Sequence, residues 1–96
     1  MTKEEFSKGI DSAISGCDEA IMDNRGFEWL LRFIGRTAKE SGDSVMMVSV
    51  SSAEGKILLA MKSKSEKNRR GYLSEIKDYC ANIGRDIDRI EKSKSR

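Results

Sequence analysis

Between Leu73 and Ile90 the apolar residues Leu73, Ile76, Cys80, Ile83, Ile87 and Ile90 step by 3, 4, 3, 4 and 3. That spacing keeps one side of an α-helix apolar over several turns, whereas a strand sends alternate residues to opposite faces. A helix over about residues 64–92 is therefore the fixed point around which the other segments must fold. Ser63 and Glu66 have the spacing of a capping box at its start, and the polar end "SKSR", residues 93–96, is expected to fray. At about 1.5 Å per residue such a helix outruns any two-stranded ribbon of six or seven residues. Its distal seam residues Ile87 and Ile90 are thus candidates for an intermolecular contact.

Two shorter helices are expected upstream. Thr2 and Glu5 again have capping-box spacing, and Phe6, Ile10, Ala13, Ile14, Cys17, Ala20 and Ile21 form an apolar stripe over about residues 3–23. "DNRG" at 23–26 stops this helix, with Gly26 placed for a left-handed turn. Gly9 and Gly16 lie within it, where the lack of a side chain lets another segment come close. Over about 26–41, Phe27, Leu30, Leu31, Ile34 and Ala38 share one face while Trp29 and Phe33 occupy an adjacent one. That arc is wide for a surface helix, which makes Trp29 and Phe33 candidate interface residues.

The middle of the chain reads differently. "VMMVSVS" and "ILLAMK" are apolar and rich in β-branched residues, and "SAEGK" between them sets Gly55 where a hairpin loop wants a positive φ. These features predict an antiparallel hairpin of residues 45–51 and 57–62, with Met46, Val48 and Val50 on one face and Val45 and Met47 on the other. The expected fold is a single α+β domain in the order α-α-β-β-α. A lone two-stranded ribbon is marginal in water, so helices or a second chain's ribbon must cover it, and Met47 joins the candidate interface residues.

The composition excludes more chemistry than it suggests. Histidine is absent, which removes the histidine base and the imidazole metal ligand. Cys17 and Cys80 lie on the apolar stripes, positions of inert thiols, and no Gly-rich phosphate loop accompanies Lys56. The sequence therefore points away from an enzyme and implies no cofactor or metal. Apolar runs are only a few residues long and the amino terminus is acidic, so no membrane segment or export signal is read and a cytoplasmic location is expected.

Charge is unevenly spread. Residues 1–24 hold six acids and two bases, whereas residues 62–96 hold eleven bases and six acids. Within the latter, Lys62, Lys64, Lys67, Arg69 and Arg70 surround a single acid, Glu66, and Tyr72 follows. Bases at a helix start oppose the helix dipole, so their presence there calls for a reason. Phosphate contact by Arg69 and Arg70, with Tyr72 stacking on a base, is one. The net charge of only +2 argues for another role. The leading expectation is a small nonenzymatic protein-interaction domain, an adaptor, regulator or inhibitor that is a homodimer and also meets another protein. Such a size suits a phage or mobile-element product. The alternative is a nucleic-acid-binding module built on residues 62–70 and the basic tail.

Overall fold

The computed structural model describes residues 1–94; residues 95 and 96 lie outside the described part. Four helices account for nearly all of it: α1 (Lys3–Glu19), α2 (Arg25–Ser41), α3 (Ser44–Lys62) and α4 (Glu66–Lys94). Among the described residues there is no strand. The expected α+β class and its β-hairpin are therefore overturned, since both hairpin segments and the Gly55 loop between them belong to the one helix α3. Gly55 has no positive φ; among the described residues Gly42 alone does, at 61°.

The inner face of α3 explains the correction. Met46, Val50, Ala53, Ile57 and Ala60 are buried and step by 4, 3, 4 and 3, the same rhythm as α4. The two-residue grouping of Met46, Val48 and Val50 is not used, because Val48 is 69% exposed while its two neighbours in that set are buried. β-Branched side chains lower helix propensity only slightly, and burying a five-residue stripe overrides that preference.

Local signals fix the ends. Thr2 caps α1 by accepting from the Glu5 backbone N–H at 3.1 Å, as expected. α1 stops at Glu19, earlier than its apolar stripe suggests, and Ile21 reaches the core from the connecting segment instead. Gly26 does not terminate α1. It opens α2, where an added Cβ would stand 3.0 Å from the Cys17 backbone nitrogen, so the residue permits close helix approach. α2 ends on Gly42 in the left-handed conformation, whose N–H donates to the Ala38 carbonyl. Asp43 then caps α3, accepting from the Met46 N–H at 3.0 Å. At α4 the cap lies two residues later than expected. Ser65 accepts from the Asn68 N–H at 3.2 Å, while Ser63 ends α3 and accepts from the Ser65 N–H. α4 runs on through Lys94, so residues 93 and 94, expected to fray, are helical.

With connections this short, each helix turns back on its predecessor. Gly9 and Gly26 meet Phe33 and Cys17 across α1 and α2, and Gly35 lies by Glu54 across α2 and α3. Asp43 and Lys56 pair with Arg89 and Glu75 across α3 and α4. Asp18 pairs with Arg70 across α1 and α4, closing an up-down-up-down bundle 47 Å long. Its core contains Phe6, Phe27, Leu30, Ile34, Met46, Ile57, Ile76 and Ile83, drawn from all four helices. At Gly9 an added Cβ would fall 2.3 Å from the Phe33 ring, so the missing side chain makes the seat for that ring, which also packs on Phe6 at 5.7 Å between centroids.

Candidate functional site

The basic segment resolves into unequal parts. Arg69 is buried although it carries a charge, and its guanidinium donates to three backbone carbonyls: Ser63 at 2.7 Å, Ile21 at 3.1 Å and Met61 at 3.1 Å. The Phe27 ring lies 5.8 Å from its centre. Met61 lies in the last turn of α3 and Ile21 follows α1, so a cation at the start of α4 reaches the C-terminal ends of two antiparallel neighbours, where orphan carbonyls and helix dipoles favour it. That is the reason for an arginine at a position its own helix dipole disfavours. Arg70 remains at the surface, paired with Asp18 at 2.7 Å and with Glu66 at 3.7 Å. Tyr72 is partly buried, with the Lys56 ammonium 5.8 Å over its ring. A phosphate grip at this end would be left to the exposed Lys62, Lys64 and Lys67, without Arg69.

The expected interface residues also separate. Ile87 is 5% exposed and belongs to the core, and Ile90 packs against that core beside Met46 and Thr37 at one end of the bundle. Ile87 is therefore covered within the chain, while Ile90 stays partly buried beside an open cavity that Met1, Thr2 and Glu40 also line. Phe33 is partly buried on Phe6, whereas Trp29 and Met47 stay exposed.

What the sequence reading did not isolate is the outer face of α3. Val45, Met47, Val48, Leu58 and Leu59 are all large, apolar and exposed. Ser44, Ser51 and Gly55 are exposed among them, and an added Cβ on Gly55 would meet nothing within 4 Å. α3 carries two charges between its ends, and both lie to the sides. The Glu54 carboxylate lies near Gly35 of α2, and Lys56 pairs with Glu75 of α4 at 3.5 Å. Four turns of helix surface, from Ser44 to Leu59, thus face outward without a charge. The other three helices are studded there: Glu4, Lys8 and Asp11 on α1, Glu28, Arg32 and Arg36 on α2, Lys67, Lys77 and Arg85 on α4, all exposed. As one helix, α3 is also long and apolar enough by length and composition to cross a membrane, although five of its residues form bundle core. The signal for this face was present in the sequence as apolar residues all round 45–60, the pattern of a helix covered on every side.

The buried Cys80 and Cys17 thiols are pushed up to about 12 and about 11 by loss of solvent, the opposite of an activated nucleophile. No three metal-ligating side chains converge among the described residues. Asp43 is held below the usual carboxylate range first by the Met46 N–H and then by Arg89, a structural cap. Comparison with protein-family models, curated proteins and solved structures gives no match for this chain.

Proposed function

We propose that this protein is a nonenzymatic interaction domain that works by laying the outer face of α3 against another protein's surface. The observation that supports the reading is the uncharged row of Val45, Val48, Gly55 and Leu59, with Met47 and Leu58 beside it, on a bundle whose other outer faces are charged. Contiguous exposed apolar surface of this kind is characteristic of binding sites. A four-helix scaffold suits the task, because the inner stripe holds the helix rigid and leaves the outer one free to be recognised.

A photo-crosslinking side chain placed at Val48 or Leu59 in the native cell tests the reading. Discrete adducts are expected from those positions, lost when Val45 is replaced by Asp, and none from Arg32 on α2 or Ser74 on α4. Equal labelling from all four positions, or none from α3, would refute it.

A further inference from the structure

The outer face of α3 is complementary to itself, and we infer that its partner is a second copy of this chain, docked antiparallel about a two-fold axis passing by Ser51 and Ser52. This inference rests on the interaction reading above and names the occupant. At 100° per residue, Val48 and Gly55 lie near the centre of the exposed face, at nearly equal distances on either side of that axis. A two-fold rotation brings each Val48 over the other copy's Gly55, where no side chain stands and the space is open. The same operation sets Val45 against Leu59 along one flank and Met47 against Leu58 along the other, with Ser51 and Ser52 at the crossing. Large meets small at the centre and large meets large toward the ends, which is what an isologous contact requires.

Charge agrees with this arrangement. Lys62 is the one base on the outward side of α3, and the two-fold carries it to the opposite end of the partner helix, toward the exposed Glu40. Antiparallel α3 helices also oppose their dipoles favourably. Covering the five large residues, which are 42 to 69% exposed, with the small residues between them removes on the order of 1,000 Å² from water over both copies. That area meets the lower bound for a specific protein interface.

The experiment is sedimentation equilibrium of the full chain from about 1 to 100 μM, a range spanning ordinary dimer affinities. The wild type should be a dimer dissociating within or below this range. Gly55→Leu is the decisive variant: the monomer has room for the side chain and the helix gains a better former, so folding is retained, as circular dichroism would show. It should nevertheless weaken dimerisation by roughly tenfold or more, because Val48 of the second copy loses its seat. Geometry is read by disulfide trapping, for which the buried Cys17 and Cys80 provide a quiet background. A mixture of Val45→Cys and Leu59→Cys chains should cross-link. Either alone should not, since each position lies about 20 Å from its own copy along the helix pair at about 1.5 Å per residue.

A monomeric wild type, a Gly55→Leu chain that dimerises normally, or cross-links from Val45→Cys alone each overturns the inference. If a monomeric wild type still gives α3-specific photo-adducts with a different protein, self-pairing falls and the interaction reading stands; with no adducts, both fall. Co-sedimentation of a monomeric wild type with equimolar phosphatidylcholine and phosphatidylglycerol vesicles, abolished by Leu59→Asp, overturns self-pairing and assigns the face to lipid.

Discussion

α3 and α4 lie side by side and bury stripes of the same rhythm, Met46, Val50, Ala53, Ile57 and Ala60 on one and Leu73, Ile76, Cys80, Ile83 and Ile87 on the other. Their outer faces differ. α4 shows solvent Lys67, Arg70, Lys77, Asp78, Arg85 and Arg89, while α3 shows it Val45, Val48, Ser51, Gly55 and Leu59. The charges on α4 do little for stability, as exposed ion pairs are worth about 0 to 1 kcal/mol each. What they do is make the inner stripe of α4 visible as a stripe and keep its outer side in water. α3 lacks them, and its outer side can be covered without burying a charge.

The contrast can be broken most severely at Arg69, the base of α4 that is not on its outer side. Arg69→Ala leaves three carbonyls without their donor and should lower unfolding free energy by about 3 to 5 kcal/mol in urea titration. Arg70→Ala, one residue away in the sequence, should lower it by at most about 1 kcal/mol. Equal effects would show that burial does not separate the two arginines. Within α3, Ile57→Ala on the inner side should destabilise by about 2 to 5 kcal/mol. Leu59→Ala on the outer side should stay within about 0.5 kcal/mol when measured on dilute protein. A large loss at Leu59 in the monomer would mean the outer face is part of the fold.

Gly55→Ala should stabilise the chain rather than weaken it. Its new methyl group meets nothing, so the helix should gain roughly 0.5 to 1 kcal/mol, read as a higher midpoint of thermal unfolding. The smallest effect concerns the thiols. Cys17 and Cys80 are fully protonated at pH 8 and shielded, so iodoacetamide should leave both unmodified in the folded chain and label both in urea, as followed by mass spectrometry. The sign for stability follows. Thiol pKa values raised by folding contribute stability below the ordinary value near 9, and this is lost as pH rises toward about 11 to 12.

The same difference explains what could be read from the sequence. α4 and α2 were legible because polar residues separate their apolar ones, so the period of the helix stands out from Leu73 to Ile87 and from Phe27 to Ala38. The Thr2 cap was legible as chemistry, one hydroxyl at the right distance from a helix start. In α3 the inner stripe was equally regular, but Val45, Val48, Leu58 and Leu59 filled the places where charges would have marked the outer side. Once the contrast vanished, β-branched content and a central glycine pointed to two strands. The feature that hid the helix is the candidate docking face itself. Arg69 was singled out for sitting against the dipole of its own helix; its partners could not be foreseen, because Ile21 lies 48 residues away and becomes adjacent only when the bundle closes.

That last contact has a consequence for the order of assembly. Two of the three carbonyls held by Arg69 lie six and eight residues back along the chain, so the α3–α4 hairpin can form both bonds alone. The third belongs to Ile21, in the segment that follows α1. Ile21 lies 48 positions before Arg69, so this bond closes a far longer loop than the other two. Local contacts form before distant ones, so protection of α1 amides from hydrogen exchange should follow that of the Arg69 amide in a refolding pulse.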